Sequence, residues 1–534
     1  MSNEPNDNEI LQESLDSEAD TSSLEMVHCP EQSDGATKDA DAEASNEENL
    51  CPPEQSEPKD EAESKEPAEE EAAPERKSKR RKKEPLTKEQ RRKKTVKGLV
   101  ITAIVLSCII VLFGVFAVVN VVGVKGLTDQ SKAFAEVDYG GAQLVPTKDA
   151  DGWWTFTADR DLKVMQLTDV HIGAGFMSQQ KDSWALNAVA TMITQEKPDL
   201  VIVTGDIAYP VPFQAGTFNN LNATKIFATM MEKLGVYWTF AFGNHDTEVY
   251  SMYSRQVICD WYAEQNFKYC LFQANTVEED KEGFGYGNNV IKVKNSAGIV
   301  TQALVLFDSH SYTDGDYMGA LWKYDNIHQN QIDWYVAEIN AINTANRAID
   351  TAAPLVPSLA FFHIPLREYR RAWATVRTWA EETKGNIDFL SDYANAYPTE
   401  PYAINEDIKF FYGIMGESDK TKNGERTWGV YCGVPDESLY PVVDGVEQDG
   451  VFFTTGKSIG LRGIFCGHDH YNNFSIEYKG VKLTYGMSID YLAYAGIWKE
   501  KAQRGCTIIT LKPDGHFTNE PRNYYEDYTV TQKH

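Results

Sequence analysis

The sequence predicts an α/β domain with polar motifs gathered along a sheet edge, carried behind one apolar helix and a charged tail. Three observations predict it. From Trp153 onward, short apolar runs rich in Val, Ile and Leu alternate with segments of helical periodicity. Five motifs built from Asp, Asn and His recur between Asp169 and His470, most of them directly after such a run. Ahead of all this, Gly98–Val124 is a run of 27 residues without a charge.

In chain order, residues 1–75 carry 25 acidic and 3 basic side chains and no aromatic residue. Such a segment buries too little apolar surface to offset its ordering entropy, so a disordered acidic tail is expected. In residues 76–97 the sign reverses, with 13 Lys or Arg against Glu84 and Glu89. The uncharged run 98–124 follows; as a helix it would reach roughly 40 Å, enough to cross a bilayer core of about 30 Å with tilt. It begins too far from Met1, and is too long, for a cleaved signal peptide. The basic cluster before it orients the chain by the positive-inside rule: residues 1–97 cytoplasmic, everything after Val124 outside. Residues 125–152 read as a stalk, and 153–534 as the folded domain. The expected setting is therefore a cell membrane spanned once, with the bilayer as one partner and no partner identified for the tail. From Gly98 to His534 the net charge is −17, from 35 basic and 52 acidic residues, which argues against a nucleic-acid surface.

Within the domain, Val164–Leu167 and Leu200–Val203 are strands. Leu186, Val189 and Ile193 recur at helical spacing between them, which makes a βαβ unit. Asn220–Leu234 is the next helix and Tyr237–Ala241 the next strand. Strands at Ala303–Phe307, Leu359–Phe362 and Gly463–Cys466 and a helix at Gln329–Ile342 complete the regular pattern. The stretch from Ile387 to Gly456, rich in Tyr, Gly, Asp and Pro, reads as an insertion that shapes substrate choice. Beyond the apolar run, Cys259, Cys270, Cys432, Cys466 and Cys506 form an odd set without tight spacing. No disulfide framework follows, and Cys259 with Cys270 is one conceivable bridge.

The motifs are Asp169-Val170-His171, Gly205-Asp206, Gly243-Asn244-His245-Asp246, Phe362-His363 and Gly467-His468-Asp469-His470. Ligands at the carboxyl ends of several strands converge on one edge, where open α/β folds build their sites. Two Asp, one Asn and four His make a mixed oxygen and nitrogen set suited to two transition ions. Any one motif is common by chance; all five in order, mostly at strand ends, are not.

In these residues the sequence resembles the calcineurin-like metallophosphoesterase superfamily, whose signature is D-x-H, G-D, G-N-H-[DE], H and G-H-x-H. The resemblance covers Leu162 to Ile497 and is closest to the purple acid phosphatase-like branch, through Asp308-Ser309, Phe362 to Tyr369, Gly467 to Phe474 and Leu483 to Gly486. It implies a sandwich of two mixed sheets flanked by helices. It also implies one ion held by Asp169, His171, Asp206 and His470, and a second by Asp206, Asn244, His363 and His468. Asp206 would be shared, and the ions would be Fe, Mn or Zn. His245 lies outside both sets and is placed to stabilise the transition state or to protonate the leaving oxygen, with Asp246 orienting its ring or raising its basicity. The implied activity is hydrolysis of phosphate monoesters by water activated between the ions. The alternatives are a phosphodiesterase or nucleotidase, or a surface binding protein that has lost turnover. Purple acid phosphatases proper use a Tyr in G-D-x-x-Y and lack the His of D-x-H. This chain has both Tyr209 and His171, and the complete D-x-H form favours His171. His310 reads either as a residue near the site or as a loop histidine, and Arg367 and Tyr369 as solvated loop positions in preference to substrate contacts.

Overall fold

The computed structural model describes residues 86–274, 283–313, 324–385, 396–414, 419–422, 425–428, 439–494 and 496–530. The acidic tail, Cys29, Cys51, Cys432 and parts of the central insertion lie outside the described residues. Two mixed sheets dominate. The smaller has the order β19 (Phe517–Asn523), β18 (Gly505–Leu511), β3 (Leu162–Leu167), β4 (Leu200–Thr204) and β5 (Trp238–Ala241). Strands β3, β4 and β5 run parallel, while β18 is antiparallel to both β3 and β19. The larger sheet has the order β1 (Thr147–Lys148), β2 (Trp154–Thr157), β6 (Asn289–Lys294), β7 (Val300–Leu306), β8 (Ser358–Phe361), β15 (Leu461–Cys466), β17 (Val481–Tyr485), β16 (Ser475–Tyr478), β10 (Ile408–Tyr412) and β9 (Tyr402–Ala403). Its centre, β7, β8, β15 and β17, is parallel. Two short ribbons, β11 (Asp419–Lys422) with β12 (Glu425–Trp428) and β13 (Val442–Val443) with β14 (Val446–Glu447), stand apart.

Side chains alternate across a strand, and here the alternation assigns the layers. Leu304, Leu306, Leu359, Phe361 and Phe465 face the smaller sheet and share a core with Val164, Ile202 and Ile509. Their neighbours Ala303, Val305, Ala360, Phe362, Ile464 and Cys466 face the other way. They pack there under α5 (Gln329–Ile349), α6 (Arg367–Lys384) and α7 (Val451–Ile459). Phe361 stacks on Phe465 with ring centroids 5.1 Å apart, and Phe465 meets Phe517 of the smaller sheet at 6.1 Å. On the far side α2 (Gln179–Glu196), α3 (Asn220–Leu234) and α4 (Arg255–Glu264) close the smaller sheet. The layer order is α/β/β/α, as the resemblance implies.

Helix ends follow local chemistry. The Asn219 side chain accepts from the N–H of Asn222 at the start of α3, and Gly235, at φ 71°, closes its end. Helix α5 runs seven residues past its expected end at Ile342. The polar Asn346 breaks the apolar pattern there but is itself buried, bonding both backbone groups of Val300 at 2.8 Å. Arg367 and Tyr369 are not on a loop: they open α6. Tyr369 is buried, its hydroxyl donating to the carbonyl of Ile464, and Arg367 pairs with Glu447.

The apolar run belongs to α1 (Lys88–Ala133), which is long and apolar enough to cross a membrane. It opens on a capping box: the Thr87 hydroxyl accepts from Gln90 N–H, and the Gln90 side chain accepts from Thr87 N–H. Its C-terminal part docks on the domain. Gly123, Leu127 and Ser131 are buried against α2 and α3, and Gln130 donates to the carbonyl of Ser183. Residues 125–133, expected as the start of a free stalk, thus continue the helix under the domain. Farther along the former stalk, Val137 is buried and its N–H donates to the carbonyl of Leu234.

Candidate metal centre

The five motifs meet where β3, β4, β5, β8 and β15 end. Asp169 and His171 follow β3, Asp206 follows β4, Asn244 and His245 follow β5, His363 follows β8, and His468 and His470 follow β15. The backbone is bent hard to bring them together. Asp169, His171, Asp206 and His468 all have left-handed φ, at 51°, 52°, 55° and 80°, a region uncommon outside glycine and concentrated at functional sites. The motif glycines make room for this. Gly205 itself sits at φ 90°, and a Cβ there would lie 2.5 Å from the His363 ring. A Cβ at Gly467 would lie 1.8 Å from the Thr168 hydroxyl and 2.7 Å from the Asp169 carboxylate.

Two buried groups result, sharing Asp206. In the first, ligand atoms of Asp169, His171, Asp206 and His470 all lie within 4.8 Å of one another. His171 Nε2 stands 3.2 Å from Asp206 Oδ2, and His470 Nε2 stands 3.4 Å from Asp169 Oδ1. In the second, His363 Nε2 stands 3.1 Å from Asp206 Oδ2 and 3.1 Å from Asn244 Oδ1. His468 Nδ1 lies 3.0 Å from the same amide oxygen and 3.3 Å from His363 Nε2.

These contacts identify what the groups are built to hold. His363 Nδ1 lies 2.9 Å from the carbonyl of Thr204, a partner that accepts only, so Nδ1 carries the hydrogen and Nε2 a lone pair. That lone pair faces a carboxylate oxygen and an amide oxygen. Asn244 is fixed in turn, its Nδ2 donating to the Tyr312 hydroxyl at 3.1 Å. Acceptors facing acceptors in a buried site are costly unless a cation stands between them. The first group repeats the pattern. The Nδ1 atoms of His171 and His470 stand 3.2 and 3.0 Å from the two carboxylate oxygens of Asp490, which turns both Nε2 atoms toward Asp169 and Asp206. The donor set therefore fits two cations, and its oxygen and imidazole mixture fits transition ions.

Without ions, the neighbouring charges shift these groups in different directions. Burial opposes charge on His171, but Asp490 outweighs it and draws the ring up to about 9. His470 rises for the same reason, with Asp169 and Asp490 overcoming burial. His468, desolvated and beside the His363 ring, is driven well below its usual value and held neutral. Burial opposes the ionised form of Asp490, yet His171 and His470 keep its carboxyl far below the usual carboxylate range.

His245 stands at the rim, its side chain 25 % exposed while His171, Asp206 and His363 are fully buried. Its N–H donates to Asp206 Oδ1 at 2.8 Å. Its ring lies edge-on to His171 and Tyr209 at centroid distances of 5.4 and 4.8 Å. Asp246 does not orient that ring. Its carboxylate accepts from the backbone N–H groups of Asp206, Ala208 and Gly243, and so braces the turns that carry Asp206 and Asn244. Burial and the neighbouring Asp206 charge push its carboxyl up. The group at the ring is Glu248, whose Oε1 is 3.0 Å from His245 Nδ1 and accepts from the Tyr312 hydroxyl at 2.8 Å. The reason is helical geometry. His245–Thr247 is a 3₁₀ turn, in which neighbours diverge and residues three apart eclipse.

Tyr209 turns its hydroxyl away, donating to Gln214 at 2.7 Å, and offers only its ring face to His171, at 4.7 Å. His310 stacks on His328 at 4.2 Å and reaches Gln331, apart from the cluster. Cys259 and Cys270 are both free. Sequence reasoning missed Glu248 and Asp490. Glu248 was recoverable from its i, i+3 spacing to His245. Asp490 follows the end of β17 by five residues, the kind of place where the other ligands stand.

This arrangement defines a dinuclear-type phosphoesterase site at the edge of a two-sheet sandwich. Residues 162–390 match the family model described as Calcineurin-like phosphoesterase, and His468 and His470 follow beyond the matched segment. Residues 162–390 thus place this domain among calcineurin-like phosphoesterases. It is similar to "Probable inactive purple acid phosphatase 29" of Arabidopsis thaliana, 24 % identical over 377 residues that span 67 % of this chain and 80 % of the relative. To "Probable inactive purple acid phosphatase 28" of the same plant it is 25 % identical, over 64 % and 73 %. To "Phosphatase DCR2" of Saccharomyces cerevisiae it is 27 % identical over 228 residues, 40 % of this chain and 36 % of that one.

Proposed function

We propose that the chain is a membrane-anchored phosphatase that hydrolyses phosphate monoesters outside the cytoplasm. The observation that carries the catalytic part is the facing of acceptor atoms across two buried groups joined by Asp206. Two ions there, Fe, Mn or Zn, would clamp the attacking and leaving oxygens of an in-line displacement and lower the pKa of bound water. The chain's own residues do the rest. The second-group imidazoles leave positive charge uncompensated for a phosphate dianion. Asn244, held by Tyr312, completes that shell without adding negative charge. His245, oriented by Glu248 at the open rim, protonates the departing alkoxide.

Anchoring is supported by the apolar part of α1 and by the basic residues before it, which orient the N-terminus inward. A phosphodiesterase or nucleotidase on the same scaffold is the alternative activity. A second reading has its own support: the two plant relatives carry the word inactive in their names. It makes this chain a metal-dependent phosphate binder without turnover.

The test is the full chain in detergent, assayed with a chromogenic phosphomonoester and a diester after loading with Mn, Fe or Zn. Faster monoester turnover supports the proposal, and faster diester turnover selects the alternative. Metal uptake with phosphate binding and no turnover establishes the binder. The full chain is required, because a chain beginning at Trp153 loses the part of α1 that covers α2 and α3.

A further inference from the structure

Uncharged residues 98–124 are longer than a bilayer core, and the structure shows where the excess goes. Gly98–Val115 alone spans about 27 Å at 1.5 Å per residue, close to the hydrocarbon thickness of about 30 Å. The next residue, Phe116, is already against the domain, its ring stacked on Phe176 at 4.9 Å. One turn on, Asn120 ties down two loops: its Oδ1 accepts from Phe176 N–H at 2.7 Å, and its Nδ2 donates to the Gly216 carbonyl at 3.3 Å. These are the loops that follow β3 and β4, which carry Asp169, His171 and Asp206. The metal-binding edge is therefore the part of the domain nearest the end of the apolar helix.

That edge is apolar at its tips. Phe213 is 90 % exposed, and Met177, Phe218 and Met252 are 50–60 % exposed, on the three loops after β3, β4 and β5. The tips are joined: Met177 N–H donates to the Ala215 carbonyl, and Met252 N–H to that of Phe218. At the level of Asn120, the helix face turned from the domain leaves Val118, Val121 and Val122 exposed as well. Exposed apolar groups on the loop tips and on the free face of the helix beside them call for a cover that meets helix and loops together.

Resting on the anchored reading above, we propose that these loop tips lie in the interfacial layer of the bilayer that α1 crosses, and that the substrate is a phosphate ester carried by that membrane. Phe213 and Met252 each stand seven residues past a site residue, Asp206 and His245, and Met177 six past His171. An extended chain of seven residues reaches at most about 24 Å, so the site lies within a loop's length of the surface. A monoester headgroup presented from the bilayer meets the rim at His245, whereas a soluble ester needs none of this apolar surface.

The experiment uses the full chain in phosphatidylcholine vesicles containing nitroxide-labelled lipid. A fluorescent amino acid is placed at position 213 and, as control, at position 514, on the turn between β18 and β19 at the opposite end of β3. Strong quenching at 213 and little at 514 is expected; equal quenching at the two positions overturns the proposal while leaving the anchor intact. A chain that fails to float with the vesicles removes the anchored reading and this proposal with it. The substrate is tested with the triple variant Phe213→Ser, Phe218→Ser, Met252→Ser on vesicles containing phosphatidic acid and, separately, on a soluble aryl phosphate. Phosphatidic acid turnover should fall at least about tenfold with the soluble rate unchanged. Equal effects on both substrates, or none, overturn the membrane-borne substrate. No turnover of either by the unaltered chain overturns the hydrolase reading, and the quenching result then stands by itself. Capture of the patch by a soluble protein, with position 213 unquenched in vesicles, replaces the bilayer with that partner.

Discussion

At the scale of single residues, the site separates side chains that form the two buried groups from side chains that aim them. His245 belongs to neither metal group. His245→Ala is expected to leave metal content unchanged and to lower kcat by about 10²-fold or more, measured on the loaded enzyme with a monoester. Full activity in that variant would remove the ring from the mechanism. Asp490 aims two imidazoles at once, through His171 Nδ1 and His470 Nδ1. Asp490→Asn is expected to weaken metal binding about 10–100-fold, the usual effect of losing a group that fixes a ligand's tautomer, with the far-UV circular dichroism unaltered. Unchanged affinity by metal titration would reduce Asp490 to a bracing role. The seven residues that meet in the two groups were legible in the sequence because each sits in a contiguous motif at a strand end. Asp490 and Glu248 were not, since a carboxylate is recognised as an orienting group only by distance to a ring. Asp246 was misassigned for the same reason: adjacency along the chain puts two side chains on different faces of a tight turn.

At the scale of elements, periodicity located six strands of the sandwich, β3, β4, β5, β7, β8 and β15, because their buried runs are short and bounded by turn residues. It failed where polar side chains are buried, as at Asn343 and Asn346 in α5, or where an Arg-rich face hides an apolar one, as in α6. The helix α1 was located as an apolar run, but its docking on the domain was invisible. Nothing in a stretch of Val and Gly tells lipid from a protein groove. Leu127 and Val137 are 4 % and 5 % exposed under the domain, and burying an aliphatic side chain is worth about 1.5–3 kcal/mol. A chain beginning at Trp153 is therefore expected to lose several kcal/mol, a large share of the 5–15 typical of a domain. Thermal unfolding of truncated chains starting at Val115 and at Trp153, both in detergent, reads this directly. Equal midpoints would mean that the docked half of α1 contributes nothing.

At the scale of the whole molecule, the two sheets are tied beside the site itself. Gln166 of β3 donates to Thr204 of β4 and to the carbonyl of Cys466 at the end of β15, each at 3.0 Å. The first group draws on β3 and β4 of one sheet and β15 of the other, so ions held there would also tie the sandwich together. Bound metal is accordingly expected to raise the unfolding midpoint, by an amount set by concentration over affinity. A chelator that strips the site should lower it; a midpoint indifferent to chelation would show that the ligands are not filled. The most direct test of the central claim is the metal content of the purified full chain by mass spectrometry, for the unaltered protein and for Asp206→Asn. Two transition ions per chain, falling below one when the shared carboxylate becomes an amide, with loss of monoester hydrolysis, is the predicted result. A protein that stays metal-free under Mn, Fe and Zn loading, or an Asp206→Asn variant that keeps both its metal and its activity, would contradict it.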